Sequence, residues 1–291
     1  MKFAFIKGNL KAFDVVVMCA TFGVTPAGFY AWSKRPDSKR AIRAQGLAEQ
    51  IRIVHDEVKG VYGSIKITRE LKARNHKANR KTIARIMASL GIRSKVGRKF
   101  RVQTTDSSHA NPIAPNTLAR QFTKATAPNQ LWSTDITYIH TDEGVLYLAG
   151  VMDLFSRKIV GWSMDATMTT KLVEDALDSA VLSRKPAFGL LHHSDRGVQY
   201  TSGRYRQLLD LHGMIASMSR TGNCYDNAVV ESFWGKLKTE MIYHRKFATR
   251  EEAKAAVFEY IEVFYNRQRL HAALEYQSPV QFEARQIGQL I

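Results

Sequence analysis

The amino-acid sequence predicts an all-α region followed by an α/β domain with a mixed, five-stranded sheet. Three observations support this fold class. Residues 41–92 have helical periodicity with capping and stop signals. From Leu131 the pattern changes to three consecutive strands, followed by alternating helices and strands. The charge changes at the same place, because residues 1–130 contain 25 Lys/Arg and 7 Asp/Glu, whereas residues 131–291 contain 18 and 19.

The net charge of +17 therefore belongs to the first part of the chain. A basic region of this kind indicates a polyanionic partner, most often nucleic acid. A solubilising surface is the alternative, although mixed charges would serve that purpose equally well. The two cysteines, Cys19 and Cys224, match neither a zinc site nor a disulfide framework, so we expect a reduced, cytoplasmic chain.

Residues 1–40 are predicted to form a short helical segment. One helix is expected over 13–20, followed by a turn at Gly23. A second helix is expected with Thr25 as its N-cap and Pro26 in its first position. The whole stretch could be mistaken for a signal peptide or a membrane span, but its continuous apolar run is too short. We therefore predict small amphipathic helices and no membrane association.

Residues 41–92 are predicted to form a helix-turn-helix DNA-binding domain. Helices are expected over 44–58, after a cap at Ser64, and from Asn79 to a stop at Gly91. The last helix of such a unit commonly meets base edges. We expect three basic residues near its start to contact DNA, with a solvated basic face as the alternative: Arg80, Lys81 and Arg85.

Residues 93–130 are predicted to be a basic linker, because they lack periodicity and contain repeated Asn-Pro and Ala-Pro steps. The segment would either follow a phosphate backbone or act only as a tether. Residues 131–291 are predicted to be the α/β domain with a helical tail. Its expected strands are 132–140, 145–152, 158–164, 188–193 and 214–218, and its expected helices are 169–182, 202–212, 226–241 and 249–264.

Three carboxylates in this domain could share a metal site. Asp135 lies on the polar side of the first strand, Asp195 follows the fourth strand, and Glu231 lies on a helix that Asp226 is expected to cap. Phosphodiester chemistry with divalent metal ions uses such hard oxygen ligands, and strand ends beside a sheet crevice are suitable places for them. Each residue also has an ordinary structural explanation, as an ion-pair partner, a turn cap or a solvated helix residue.

The motifs around these carboxylates resemble the integrase-type catalytic core of bacterial insertion-sequence transposases. They are the segments 131–138 (LWSTDITY), 153–157 (DLFSR), 193–200 (HSDRGVQY) and 226–240 (DNAVVESFWGKLKTE). The 35 residues between Asp195 and Glu231 are the spacing typical of this family. More narrowly, the chain resembles the second-reading-frame (OrfB-type) product of elements that move through a circular intermediate.

The resemblance implies a ribonuclease-H-like fold and a DDE-type transposase, a polynucleotidyl transferase. Asp135, Asp195 and Glu231 would be the catalytic residues and would bind two Mg²⁺ ions, with Mn²⁺ able to substitute. Metal-dependent cleavage at the element ends would be followed by strand transfer, and therefore by DNA transposition, recombination and integration. Lys238 would contact a phosphate of the element end, with His193 and Asn227 as supporting groups.

The resemblance also implies partners. These are double-stranded DNA, in the form of terminal inverted repeats and target DNA, and further copies of the chain in a homo-oligomer on that DNA. A protein from the upstream reading frame is a further candidate, as a fusion or a partner. The expected location is the bacterial cytoplasm, associated with the nucleoid.

Other functions remain compatible with the residues alone. A DNA-binding repressor would use the basic region and show no metal-dependent cleavage, and a ribonuclease H would cut RNA in hybrids. An inactive relic is a third alternative, although an intact set of carboxylates disfavours it. A retroviral-type integrase needs a His/Cys zinc module, which two cysteines 205 residues apart cannot supply.

Overall fold

The computed structural model describes residues 1–95, 111–121, 124–220 and 227–288. It confirms the predicted fold class, with an all-α region first and a mixed five-stranded sheet with flanking helices after it. The helices are α1 (Lys2–Gly8), α2 (Val15–Thr21), α3 (Pro26–Lys34), α4 (Lys39–Glu57), α5 (Ser64–Ala73), α6 (Arg80–Ser89), α7 (Thr170–Arg184), α8 (Val198–Thr201), α9 (Gly203–Leu211), α10 (Ala228–Glu240), α11 (Arg250–Phe258) and α12 (Pro279–Gly288). The strands are β1 (Leu131–Thr141), β2 (Gly144–Asp153), β3 (Ile159–Asp165), β4 (Leu191–Ser194) and β5 (Ile215–Met218).

The first three helices form a small unit with its own core. Thr25 caps α3 as predicted, since its hydroxyl accepts a hydrogen bond from the Gly28 amide at 3.1 Å. The sequence reasoning missed α1, whose only fully buried side chain, Ile6, gives no helical repeat. Within the described residues no single helix is long and apolar enough to cross a membrane. Only α2 and α3 taken together pass that test of length and composition, as a pair bent by 110°.

Helices α4, α5 and α6 surround a second core that contains Ile51, Leu71 and Ile83. The Asn79 cap is confirmed, because its side-chain oxygen accepts a hydrogen bond from the Thr82 amide at 2.8 Å. Gly91 ends the unit with a φ of +68°, a conformation that glycine adopts without strain.

The predicted Ser64 cap of α5 is wrong. The extended residue before this helix is Gly63, and Ser64 is its first helical residue. A residue already in the helix cannot place its own side chain over the first amides, so α5 has no side-chain cap.

The sheet has the strand order β3-β2-β1-β4-β5. Strands β1, β2 and β3 form an antiparallel meander, and β4 and β5 add to β1 in parallel. Because side chains alternate along β1, its two faces contribute to different cores. Trp132 and Ile136 pack in the core that contains α7 residues, whereas Leu131 and Ile139 pack in the core that contains α10 and α11 residues.

The helical tail connects the α/β domain to the all-α region. Helix α11 has the predicted capping box, in which the Thr249 hydroxyl accepts a hydrogen bond from the Glu252 amide at 3.1 Å. It continues as π-helical turns over Glu259–Tyr265. Behind it, the buried Tyr62 hydroxyl from the all-α region accepts a hydrogen bond from the Leu270 amide at 2.8 Å. One apolar core therefore runs through α4–α6, the tail and the α10 face of the sheet.

The described part of the predicted linker is docked on the sheet. Leu118 is fully buried, and its amide donates to the Ser217 hydroxyl at 3.2 Å. The Pro115 carbonyl accepts a hydrogen bond from the Met218 amide at 3.4 Å. Residues 115–118 thus lie along the edge of β5.

Candidate active site

Asp135 and Asp195 come from neighbouring parallel strands. Strands β1 and β4 pair with Ser133 opposite His193, so the next residues on the same face are Asp135 and Asp195. Both aspartates line one small cleft, which Gly197 and Tyr200 also line. The parallel register is therefore the feature that brings these two carboxylates together.

The Asp135 carboxylate accepts two hydrogen bonds from the protein. Its Oδ1 accepts from the Ile136 amide at 2.9 Å, and its Oδ2 accepts from the indole Nε1–H of Trp234 at 3.1 Å. Burial raises the pKa of Asp135 well above its usual range, and the negative charges of Asp195 and Glu231 add to this shift. Like charges this close favour a cation in the cleft.

Asp195 lies in the turn immediately after β4. Its Oδ1 accepts a hydrogen bond from the Gly197 amide at 2.9 Å, which holds the carboxylate toward the cleft side of the turn. A Cβ at position 197 would lie only 3.0 Å from that oxygen. Gly197 therefore allows the backbone to approach the Asp195 carboxylate closely.

Glu231 lies in the first turn of α10 and remains largely open to solvent. Its surroundings are enclosed enough that burial raises its pKa, and the Asp195 charge raises it further. In the parts of the chain that the structure describes, no three acidic, histidine or cysteine side chains are close enough to form a ready metal-binding group. Glu231 thus lies within electrostatic reach of the two aspartates, but its carboxylate is too far from them to complete a three-ligand metal site.

Two side chains hold α10 against β1. Asn227, buried at the start of α10, accepts a hydrogen bond from the Ser133 hydroxyl and donates from Nδ2 to the Thr134 carbonyl at 3.1 Å. Trp234 reaches Asp135 two turns further along. The predicted cap, Asp226, lies outside the described residues. Asn227 therefore anchors the helix that carries Glu231.

Lys238 lies two turns beyond Glu231, with its Nζ 5.0 Å from the centre of the Tyr138 ring. Burial lowers the pKa of Lys238, and the Asp135 carboxylate opposes that shift. The ammonium group of Lys238 is therefore within electrostatic reach of Asp135.

His193 is fully buried and does not line the cleft that Asp135 and Asp195 share. Its Nδ1 lies 2.9 Å from the Ser217 hydroxyl, and its Nε2 lies 3.2 Å from the Ser219 hydroxyl. The ring thus braces β4 against β5 just before Asp195.

The three basic residues predicted to contact DNA are all exposed in the first two turns of α6. Its inner face is buried through Ile83 and Met87. Exposed cations at the start of a helix are free to meet a phosphate backbone: Arg80, Lys81 and Arg85.

The sequence reasoning did not single out Trp234 or Gly150. A weak signal was available, because positions 231 and 234 lie about 60° apart around a helix. Gly150 lies beside the Trp234 indole and pairs with Asp135 across β1 and β2. The sequence around Gly150 gives no signal of this, because the pairing depends on the β1–β2 register.

Three protein-family models match this chain. The integrase core domain family matches residues 125–224, a second integrase core model matches residues 231–287, and the HTH-like domain family matches residues 43–100. A solved structure of the HTLV-2 integrase catalytic core domain in complex with magnesium has a TM-score of 0.43 and 17% identity, covering 55% of this chain and 99% of that one.

Two curated relatives are similar over most of their length. The transposase for insertion sequence element IS904 of Lactococcus lactis is 45% identical over 86% of this chain and 98% of its own length. Transposase InsF for insertion sequence IS3A of Escherichia coli is 41% identical over 99% of this chain and 100% of its own length. The chain therefore belongs to the transposases of IS3-family insertion elements, with an HTH-like domain and an integrase core.

Proposed function

We propose that this transposase cuts DNA at the ends of its element and joins the freed ends to target DNA, with Asp135, Asp195 and Glu231 as the catalytic residues. The observation that carries the proposal is the shared cleft of Asp135 and Asp195, beside the helix that holds Glu231. Asp135 and Asp195 line this cleft, and Glu231 lies within electrostatic reach of them on the neighbouring helix. The chemistry they favour is metal-assisted hydrolysis and transfer at phosphodiesters.

The donor set fits Mg²⁺, because carboxylate oxygens are the ligands that this ion prefers. We assign two Mg²⁺ ions to the three carboxylates, with Mn²⁺ able to substitute. When bound, the ions supply Lewis-acid activation of the attacking oxygen and stabilisation of the leaving oxygen. The amide of Ile136 and the indole of Trp234 hold Asp135, and the amide of Gly197 holds Asp195.

Two displacements use the same residues. In the first, water attacks the phosphorus at the element end and the 3′-oxygen of the element strand leaves. The element strand then ends in a free 3′-hydroxyl, and the flanking strand keeps the 5′-phosphate. In the second, that hydroxyl attacks a phosphodiester of the target and becomes joined to its phosphorus, while the target's own 3′-oxygen leaves. No covalent link to the protein forms, so positioning is the main contribution of the chain. Lys238 holds a phosphate of the element end beside Asp135.

The all-α region supplies recognition of the DNA. Helix α6 presents Arg80, Lys81 and Arg85 to the terminal inverted repeats, and two ends are brought together by a homo-oligomer. The upstream-frame protein is proposed as a further partner, as a fusion or a separate chain. The site of action is the bacterial nucleoid in the cytoplasm.

The test is a strand-transfer assay on DNA carrying the element's terminal repeats, with and without Mg²⁺. Glu231→Gln is expected to abolish both cleavage and joining while leaving DNA binding in a gel-shift assay unchanged, because the substitution removes a ligand charge and keeps the side-chain size. Glu251→Gln is the matched control, since Glu251 is an exposed residue of α11 that pairs with Lys254.

Joining at the wild-type rate by the Glu231→Gln protein would remove Glu231 from the proposed site. Binding of DNA by the wild-type protein with no cleavage under any metal condition would support a repressor instead. A parallel assay on an RNA–DNA hybrid separates ribonuclease H activity, for which cleavage of the RNA strand is the signature.

A further inference from the structure

The buried indole of Trp234 contacts two neighbouring strands, β1 through Asp135 and β2 through Gly150. Trp234 is 5% exposed, and its ring lies 4.7 Å from that of Phe233, centre to centre. From this position its Nε1–H donates to Oδ2 of Asp135 at 3.1 Å. A buried N–H that reaches a carboxylate makes a charge-assisted hydrogen bond, which is stronger than a bond between neutral groups.

The absence of a side chain at Gly150 makes space for the Trp234 ring on the sheet. Gly150 of β2 pairs directly with Asp135 of β1. A Cβ at position 150 would lie 2.8 Å from Cη2 of the Trp234 indole, closer than real side chains approach. The six-membered ring of the indole therefore lies close against Gly150, while its N–H reaches Asp135 on the neighbouring strand.

The hydrogen bond links the helix that carries Glu231 to the strand that carries Asp135. Trp234 is three residues after Glu231 on α10, and Asp135 is on β1. The two oxygens of Asp135 each have one protein donor, from Ile136 and from Trp234. Fixing both oxygens sets the side-chain rotamer of Asp135, and the same bond sets how far α10 lies from the strand.

A second buried tryptophan, on the strand that carries Asp135, provides a comparison. Trp132 is completely buried on β1, and its Nε1–H has no hydrogen-bond partner among the described residues. It packs in the core on the opposite face of the sheet. Packing alone therefore explains Trp132, whereas Trp234 combines packing with a directed bond to a carboxylate.

We propose that Trp234 is a positioning residue, whose indole N–H orients the Asp135 carboxylate for metal binding and whose ring seat is Gly150. The inference rests on the proposed function, because it takes Asp135 as a metal ligand. Donors to metal-binding residues typically affect metal affinity or activity by about 10–100-fold when they are removed.

The first experiment compares Trp234→Phe with Trp132→Phe in the full chain. Trp234→Phe keeps an aromatic side chain on α10 but removes the N–H and the outer ring that contacts Gly150, and Trp132→Phe makes the same change in side-chain volume. It is expected to raise the half-saturating Mg²⁺ concentration in strand transfer by about 10–100-fold, with the affinity for DNA unchanged. Trp132→Phe removes an N–H that has no hydrogen-bond partner in the described part of the chain, and it should keep the wild-type Mg²⁺ dependence. Equal Mg²⁺ dependence in both variants would overturn the proposal.

The second experiment needs no catalytic activity, so it separates this inference from the proposed function. The protein contains four tryptophans, and labelling them with ¹⁵N gives one indole signal each. The Trp234 signal, identified by its loss in Trp234→Phe, should move when Asp135→Ala removes the acceptor, and it should move again when Mg²⁺ is added to the wild-type protein. A Trp234 signal that is unchanged by Asp135→Ala would overturn the proposal even if strand transfer is confirmed.

Gly150→Ala gives an independent variant in which both partners remain. The added methyl group should displace the indole, and the Mg²⁺ dependence should then shift in the same direction as in Trp234→Phe. A Gly150→Ala protein with wild-type Mg²⁺ dependence and an unmoved Trp234 signal would contradict the proposed seat.

Discussion

At the scale of single residues, the Asp135 side chain lies where an ionised carboxylate is unfavourable. Burial and the Asp195 charge raise the pKa of Asp135, so the folded chain holds this proton more tightly than the unfolded chain does. The stability of the folded state should therefore fall as the pH rises through the raised pKa. Part of the stability is given up to keep the carboxylate in the cleft.

Asp135→Asn should for this reason stabilise the protein in the absence of divalent metal ions. We expect a higher melting temperature in EDTA, by about 2–4 °C for each kcal/mol relieved, and a difference from wild type that widens as the pH rises through the raised pKa of Asp135. Mg²⁺ should raise the melting temperature of the wild type more than that of the variant. Calorimetry in EDTA and in Mg²⁺ measures both effects, and a difference between the two proteins in EDTA that does not change with pH would contradict the interpretation.

The candidate site was predictable from sequence to different degrees. Asp135, Asp195 and Glu231 stand in motifs whose residue types and spacing indicate them. The contact of Trp234 with Asp135 spans 99 positions and depends on how α10 crosses the sheet, so no local pattern encodes it. The bracing of His193 by Ser217 and Ser219 likewise depends on the pairing of β4 with β5.

At the scale of elements, α10 combines tightly packed and free positions. Trp234 is buried against the sheet, whereas its neighbour Gly235 is exposed, and a Cβ added there would meet nothing within 4 Å. Glycine in a helix interior costs about 0.5–1 kcal/mol relative to alanine. The helix is thus held by its contacts with β1 more than by its own propensity.

Gly235→Ala is therefore expected to raise the free energy of unfolding by about 0.5–1 kcal/mol and to leave strand transfer unchanged. Chemical denaturation gives the stability, and the strand-transfer assay gives the activity. If the variant lost activity while gaining stability, α10 would need flexibility at this position, and the rigid support of Asp135 inferred above would be in doubt.

Helices and strands with strong periodicity were predicted well, because their patterns are local. The five strands and the helices from α4 onward were expected within a few residues, except for α8 and α12. Helix α1 was missed because its single fully buried residue gives no repeat. The Ser64 cap was misplaced by one residue, because such a shift does not change the apolar pattern of the helix. The docking of 115–118 on β5 could not be foreseen, because the buried Leu118 stands alone in a polar segment.

At the scale of the whole molecule, the charge is divided between the two parts of the chain. The basic excess lies in residues 1–130, and the structure shows exposed cations on α6. The domain boundaries near residues 40, 92 and 130 stay predictions. The seam between the parts is well packed, because Tyr62 bonds to the tail and Lys59 pairs with Glu259.

Salt dependence should show which cations meet phosphates. Each phosphate contact contributes about 0.9 to the slope of log affinity against log salt concentration on double-stranded DNA. Changing Arg80, Lys81 and Arg85 to Gln, one at a time, should lower the slope by about that amount for each residue in contact. Lys171→Gln is the control, since Lys171 pairs with Asp175 on α7. Unchanged slopes for all three variants would make the α6 surface an ordinary solvated face.

The two edges of the sheet limit how copies of this transposase can join. At the β3 edge, the Asn266 side chain accepts from the Ile159 amide at 3.0 Å and donates to its carbonyl at 2.9 Å. At the β5 edge, Pro115 and Leu118 occupy backbone and hydroxyl groups of β5. A strand from another chain would have to displace these bonds before it could extend the sheet. Assembly on DNA is therefore expected through helices and loops, without a sheet that continues from one copy to the next.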